Sequence, residues 1–132
     1  MIIELEQIIK IVLAFILSGV VGLEREVNLK PAGLRTHSLV GLGSALLTIL
    51  SLEAFPGSDP ARIAAAVIVG VGFIGAGTIL KTEEKIVGLT TAATLWTTSA
   101  IGVTVGAGFY ILAIIATALT YLSLKLGMFT SD

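Results

Sequence analysis

Residues 63–80 read IAAAVIVGVGFIGAGTIL, an apolar stretch without a charged side chain. A helix needs about 17–25 such residues to cross a bilayer. Only helices and closed barrels satisfy their backbone groups in lipid, and the alternating strands of about ten residues that form a barrel are absent from the sequence. We therefore predict an all-α, polytopic membrane bundle of about five closely packed transmembrane helices. The predicted spans are 8–23, 38–55, 63–80, 89–105 and 109–126.

The composition supports a membrane protein. The 132 residues are 55% hydrophobic and 13% charged, whereas an ordinary soluble domain contains about 25% charged residues. We treat residues 1–132 as a single transmembrane domain without a soluble C-terminal domain. The chain has no cysteine, which excludes thiolate metal sites and cysteine nucleophiles, and a net charge of −1 argues against binding to nucleic acid. The start of the chain is acidic, unlike a cleavable signal peptide, so we expect the first span to be retained.

Basic residues are distributed unevenly between the loops. Six fall on one side of the predicted bundle and two on the other. By the positive-inside rule, we expect a multi-pass protein of the bacterial inner membrane with the N-terminus outside and the C-terminus in the cytoplasm. If spans four and five, which are joined by a short turn at 106–108, are not both full crossings, the tail changes side. The six are Arg25, Lys30, Arg35, Lys81, Lys85 and Lys125, and the two are Lys10 and Arg62.

Small residues are concentrated in span three. Gly70, Gly72, Gly75 and Gly77 allow helix backbones to approach closely in lipid, so we assign them to helix packing and expect span three at the centre of the bundle. Four glycines also weaken a helix by about 1 kcal/mol each against alanine, which favours a local bend. The GxGxxG pattern at 70–75 would need an acidic residue about 20 positions later to bind a dinucleotide. Leu95 lies there instead, so we interpret the pattern as helix packing.

Two polar segments allow alternative interpretations. Asp59 and Pro60 are favourable residues for the start of span three, and Arg62 then either extends to the headgroups or forms a functional pair with Asp59. The segment 22–37 is either an ordinary cytoplasmic loop or a polar site in which Glu24 faces Arg35 as spans one and two fold back. Its single histidine, His37, does not make a metal site on its own.

Span four contains five threonines between residues 90 and 98. Thr90, Thr94 and Thr97 share one helical face, and Thr91 and Thr98 share another. Such hydroxyls either bond within the bundle or line a path for ions or water. Trp96 lies within the span rather than at its end, so we expect it to pack into the bundle. The sequence offers no candidate for catalysis, because one histidine and no cysteine leave no plausible nucleophile–base pair.

Taken together, these segments resemble the MgtC/SapB family of bacterial inner-membrane proteins. The resemblance covers roughly residues 19–110, with the motifs in order and suitably spaced. It includes Gly102 and the turn at 106–108. The motifs are GLERE at 22–26, PAGLRTH at 31–37, LGSA at 42–45, DPxRIA at 59–64, GxGFIGAGTI at 70–79 and GLTTAAxLW at 88–96.

The resemblance implies a five-span domain with a role in adaptation to low magnesium and in virulence, through survival inside host phagocytes. It also implies a regulator that binds membrane partners, notably the F-type ATP synthase. Asp59 corresponds to the acid usually singled out in the membrane. This chain departs from the family at Ala66, where glutamine is common, and it ends at Asp132, where many relatives continue into a soluble domain. The family's polar positions correspond to Glu24, Arg25, Arg35, Thr36, Asp59, Arg62, Thr90 and Thr91.

Two functions remain open. The first is a non-enzymatic membrane regulator that acts through helix–helix contact in the lipid bilayer, with itself as a homodimer and with other inner-membrane proteins. The second is a small transporter or channel for Mg²⁺ or another cation. It is favoured by the Asp59/Arg62 pair, the threonine-rich span four and the glycine-broken span three, since discontinuous helices often form sites near the midplane. Asp59 and Glu24 are the candidate carboxylates for Mg²⁺, and the predicted topology places them at opposite membrane faces. We expect no catalytic residues, no cofactor and no resident metal.

Overall fold

The computed structural model describes residues 2–127. It contains five helices and one antiparallel pair of two-residue strands, so the predicted all-α bundle is confirmed. The predicted limits of the domain, Met1 and Asp132, lie outside the described residues. The helices are α1 (Ile2–Val27), α2 (Leu34–Glu53), α3 (Ala61–Ala76), α4 (Leu89–Gly106) and α5 (Tyr110–Leu126), and the strands β1 (Leu80–Lys81) and β2 (Ile86–Val87) lie between α3 and α4.

The distribution of polar and apolar side chains is that of a membrane bundle. Large apolar residues cover the outside, whereas serines and threonines are buried between the helices. This arrangement places most polar groups among other helices, where they can find hydrogen-bond partners, and leaves apolar groups for lipid. Two helices, Glu4–Val27 within α1 and Leu34–Glu53, are long and apolar enough to cross a membrane, while Ala61–Ala76 and Tyr110–Leu126 are apolar but shorter.

Successive helices run in opposite directions. Gln7 of α1 donates a hydrogen bond to Glu53 of α2 at one end of the pair, and Gly22 packs against His37 at the other. α2 and α4 lie side by side in the same direction, since His37 contacts Thr94 at one end and Gly106 lies beside the backbone of α2 near the other. The C-terminus of α1, the N-termini of α2 and α4 and the β1–β2 hairpin therefore share one end. We call it the basic end, because the six basic residues of the predicted cytoplasmic side lie there.

α1, α2 and α4 form the core. Its central apolar cluster includes Ala14, Ala45, Ile101 and Val105, which come from these three helices. Glycines set the spacing of α2 and α4: a Cβ atom added at Gly102 would lie 2.5 Å from a carbonyl oxygen of α2. The two backbones are therefore in direct contact, an approach that only a residue without a side chain permits.

α3 lies at the edge of the bundle, so the prediction that it forms the centre is wrong. It packs mainly on α2 and α4 and buries only Val67, Val71 and Gly75. The reason is chemical. α2 and α4 contain many serines and threonines, which gain from burial among other helices, whereas the exposed side chains of α3 after Arg62 are apolar and suit lipid. Small residues permit close packing but do not compel it.

Several helix bounds differ from the predicted spans. α1 and α2 continue through the polar residues 24–27 and 34–37, which therefore belong to helices rather than to a loop. α3 ends at Ala76 and not at Leu80, because the hydroxyl of Thr78 donates to the Gly75 carbonyl (2.7 Å) and the chain turns into β1. The charged run at 81–85 closes the β1–β2 hairpin, in which the Thr82 amide donates to the Lys85 carbonyl (2.8 Å).

Candidate functional site

A cluster of hydrogen-bonded polar side chains lies at the basic end, between α1, α2 and α4. It exists because α1 continues one turn beyond its apolar run and brings charged residues against the start of α4. We call this group the polar cluster. It consists of Glu24, Arg25, Asn28, His37, Thr91 and Thr94.

Glu24 and Arg25 form a buried ion pair. They are 5% and 4% exposed, and Nη1 of Arg25 lies 3.7 Å from Oε2 of Glu24. Nη2 of Arg25 donates to Thr91 Oγ1 (3.0 Å), and Asn28 donates to Oε1 of Glu24 (2.8 Å). Nε of Arg25 and Oε2 of Glu24 have no hydrogen-bond partner. The pair offsets two buried charges but leaves one donor and one acceptor available, which is unusual for groups so deeply buried.

His37 joins α2 to α4 and is fully buried. Its Nδ1 lies 2.9 Å from the Gly33 carbonyl oxygen, which can only accept, so Nδ1 bears a proton. Nε2 lies 3.0 Å from Thr94 Oγ1, and that hydroxyl also lies 2.8 Å from the Thr91 carbonyl oxygen. Thr94 has one proton for these two acceptors when the imidazole is neutral. The hydroxyl of Thr94 is therefore shared between His37 and the first turn of α4.

Arg35 is not part of this cluster, so the alternative in which Glu24 faces Arg35 is wrong. Arg35 is exposed in the first turn of α2, and Arg25 takes its place because it lies on the buried side of α1. Thr36 is half-buried nearby. Glu26, which the sequence analysis did not select, accepts a hydrogen bond from the Leu34 amide (3.2 Å) at the start of α2.

Asp59 and Arg62 lie at the end of the bundle opposite the polar cluster, and both are exposed. Oδ1 of Asp59 accepts a hydrogen bond from the Ala61 amide (2.9 Å), as the helix-start interpretation predicts. Within residues 2–127, no ion pair joins the two side chains. Glu24 and Asp59 therefore do not share a site.

The threonines of α4 divide differently from the two predicted faces, because Thr94 is buried with Thr91 and Thr98 rather than grouped with Thr90 and Thr97. Thr91, Thr94 and Thr98 form the buried stripe, whereas Thr97 is bonded to the carbonyl of its own helix at Ala93 (2.9 Å). Thr90 is half-buried and lines a cavity at the basic end. Trp96 is 49% exposed on the outside of α4. Its expected packing inside the bundle is therefore not found, because it lies on the face opposite the buried stripe.

The glycines assigned to helix packing have different surroundings. Gly75 packs on Ala92 of α4, with 3.4 Å between an added Cβ and the Ala92 carbonyl oxygen. Gly77 ends α3 and meets only its own helix, while Gly70 and Gly72 face open space. The last two do not contribute to packing within one chain.

Sequence reasoning missed Asn28 and the role of Thr94 as the partner of His37. The spacing of Glu24 and Asn28, four residues apart, was the available signal for their hydrogen bond, because such pairs meet on one helix face. The contact of His37 with Thr94 joins residues 57 positions apart and left no local signal.

The model of the MgtC family matches residues 11–131. The chain belongs to the MgtC family. The resemblance noted in the sequence is thereby confirmed, and the polar cluster and α3 lie inside the matched region. No solved structure matches this MgtC-family chain.

Three curated relatives illustrate the similarity. "Putative magnesium transporter YhiD" of Escherichia coli K12 is 51% identical, over 91% of this chain and 60% of the relative. An uncharacterized protein of Haemophilus influenzae is 43% identical, over 89% of this chain and 53% of the relative. "Protein MgtC" of Brucella abortus is 45% identical, over 79% of this chain and 44% of the relative. The chain thus spans about half the length of the curated relatives it matches.

Proposed function

We propose that this chain is a non-enzymatic regulator in the bacterial inner membrane, which acts by contact with other membrane helices. The supporting observation is an apolar groove of about 350 Å³ between α2 and α3. Gly43, Ala66 and Gly70 line it, and a Cβ added at either glycine would meet no atom within 4 Å. In lipid, small residues stabilise a protein by letting another helix approach, and here that capacity is unused within one chain.

The occupant that we propose for this groove is a helix of a membrane partner. A second copy of the chain, giving a homodimer, and the F-type ATP synthase are the candidates that the family suggests. The process is adaptation to low magnesium and survival inside host cells. The printed names of the relatives in Escherichia coli and Brucella support a link to magnesium and to the MgtC family.

The proposal is tested by a substitution that fills the groove with a large side chain. Gly70→Leu places a large side chain in it, while Gly72→Leu makes the same change on α3 at a residue that does not line the groove. Crosslinking in native membranes followed by affinity purification should recover a dimer or another membrane protein with the unmodified chain. We expect the amount of recovered partner to fall at least tenfold with Gly70→Leu and to change little with Gly72→Leu. Equal recovery from both variants, or no partner from the unmodified chain, would contradict the proposal.

The second candidate is a cation transporter, which the buried carboxylate of Glu24 and the printed name of the Escherichia coli relative favour. Mg²⁺ usually binds one or two carboxylates and retains several waters. Here the guanidinium of Arg25 lies 3.7 Å from Oε2 of Glu24, and a cation would have to compete with it. Among the described residues, no three His, Asp or Glu side chains gather as metal ligands. The geometry therefore supports the regulator better.

Flux measurements separate the two candidates. Liposomes that contain the purified protein and a Mg²⁺-sensitive dye should show no more Mg²⁺ entry than empty liposomes if the chain is a regulator. Entry that depends on the protein and is abolished by Glu24→Gln would instead establish transport.

A further inference from the structure

A small cavity at the basic end has the chemistry of an anion site. Its volume is about 190 Å³, below the roughly 300–1,000 Å³ of sites for drug-sized ligands. Arg25 and Lys30 line one side and residues 86–91 the other, and none of the lining residues is acidic. The cavity is therefore positively charged and of a size suited to a compact group.

The start of α4 adds to this charge. The helix begins at Leu89 after Gly88, whose φ of 90° is the left-handed conformation that favours glycine, and no side chain caps this end. The N-terminus of a helix has a partial positive charge and presents backbone N–H groups, which together attract anions. The helix start is thus directed at the same space as the two basic side chains.

Arg25 provides independent support for a ligand. It lines the cavity and is only 4% exposed, yet its Nε has no hydrogen-bond partner. A buried guanidinium nitrogen without a partner is costly, and an arriving acceptor would relieve that cost. Glu24 is the acidic group next to Arg25: its Oε1 accepts a hydrogen bond from Asn28, and its Oε2 lies 3.7 Å from Nη1 of Arg25, so it does not bond the Nε.

A second cavity, of about 460 Å³, lies on the other side of the same basic residues. It shares Arg25 and Lys30 with the first and adds Lys125 from the last turn of α5. Glu24 also borders it, so basic residues outnumber acidic ones there as well. Both cavities therefore place Arg25 and Lys30 in contact with open space.

We infer that the cavity between Lys30 and the start of α4 binds a phosphate group, and that its source is the headgroup of an anionic phospholipid. The rim supports a lipid over free phosphate. Leu89 and Ile86 are apolar and exposed at 60% and 51% beside the cavity, where the acyl chains of a bound lipid would lie. Basic sites of this kind between transmembrane helices recognise anionic headgroups. The inference is independent of the regulator function, because it concerns a different part of the molecule.

The test titrates lipid into the purified, detergent-solubilised chain and measures the midpoint of thermal unfolding. Phosphatidylglycerol should raise the midpoint, whereas zwitterionic phosphatidylcholine should not. Lys30→Gln removes a charge that lines the cavity, and Lys81→Gln removes one at the same end that does not line it. We expect Lys30→Gln to require about fivefold more phosphatidylglycerol for the same stabilisation. Lys81→Gln should respond as the unmodified chain does.

Other results of the titration would contradict either the lipid or the site. Inorganic phosphate is titrated in parallel at matched phosphate concentration. If it stabilises the chain and phosphatidylglycerol does not, the lipid is overturned as the source. Equal weakening by Lys30→Gln and Lys81→Gln, or no stabilisation by either ligand, would overturn the site itself. Lys30 is exposed, so its replacement does not threaten the fold in the way that replacing Arg25 would.

Discussion

The buried ion pair of Glu24 and Arg25 is a contact at which the replacement of a single residue should strongly lower the stability of this protein. Both charges are buried, and each offsets the cost of the other. Removing one partner of such a pair is strongly destabilising, whereas removing both is often nearly neutral. Arg25 also donates a hydrogen bond to Thr91 and so joins α1 to the core helix α4. The ion pair therefore affects both the stability of the fold and the position of α1 relative to α4.

Arg25→Gln should therefore lower the free energy of unfolding by about 3–5 kcal/mol, because it leaves the Glu24 carboxylate buried without its cation. Arg35→Gln makes the same change at an exposed residue of the same end, and its effect should stay within about 0.5 kcal/mol. Unfolding in mild detergent, followed by circular dichroism, measures both. The double variant Glu24→Gln/Arg25→Gln should regain part of the loss. If it is no more stable than Arg25→Gln alone, the ion-pair explanation is wrong.

At the scale of helices, glycines determine which elements touch. Gly102 and Gly106 of α4 lie against the backbone of α2, where an added Cβ would approach carbonyl oxygens at 2.5 and 2.9 Å. Gly43, on another face of α2, meets nothing. The same residue type is thus indispensable at one contact and replaceable at another.

Gly102→Ala should destabilise the protein by about 1–3 kcal/mol, because the backbone of α2 has to move away from the added methyl group. Gly43→Ala should be neutral or stabilise by up to about 1 kcal/mol, since alanine is the better helix former and the methyl group meets open space. The midpoint of thermal unfolding in detergent distinguishes the two. Equal destabilisation by both substitutions would show that glycine acts here through the backbone conformation rather than through helix contact.

The elements also show where sequence reasoning succeeds. The apolar runs and their polar interruptions predicted five helices, since length and hydrophobicity alone define such segments. The apolar runs did not reveal that α1 and α2 include the polar segments 24–27 and 34–37. Tertiary contacts stabilise those helical turns, and such contacts are not visible in a local pattern. The resemblance selects Glu24, Arg25 and Thr91, yet the one partner that the sequence suggested for Glu24, in one of two interpretations, is Arg35 and not Arg25. Which of two nearby arginines faces inward depends on helix rotation, which the sequence does not state. The prediction for α3 failed for another reason: small residues permit close packing without requiring it, and the serines and threonines of α2 and α4 gain more from burial.

At the scale of the whole molecule, the two ends differ in charge. The helix directions place the β1–β2 hairpin and the polar cluster at the basic end and Asp59 at the other. The positive-inside rule then favours the basic end in the cytoplasm. Asp59 and Arg62 would face the outside.

Cysteine labelling tests this orientation cleanly, because the chain contains no cysteine of its own. Ser58→Cys and Glu84→Cys place single thiols in exposed segments at opposite ends. A membrane-impermeant maleimide applied to intact spheroplasts should label Ser58→Cys and spare Glu84→Cys. Both should react once the membrane is permeabilised, which controls for access. The reverse pattern would invert the orientation, and equal labelling of both before permeabilisation would exclude a single fixed orientation.

The position of α4 has a consequence for how the protein is made. α2 packs mainly on α1 and α4, while α3, which leaves the ribosome before α4, stays at the edge. Helices generally enter the membrane first and associate afterwards. Until α4 is synthesised, the face of α2 with Ser44 and Thr48 lacks its neighbours Gly102 and Gly106, and His37 lacks its hydrogen bond to Thr94. α4 must therefore settle beside α2 after α3 has been inserted, and the final assembly of the core awaits the second half of translation.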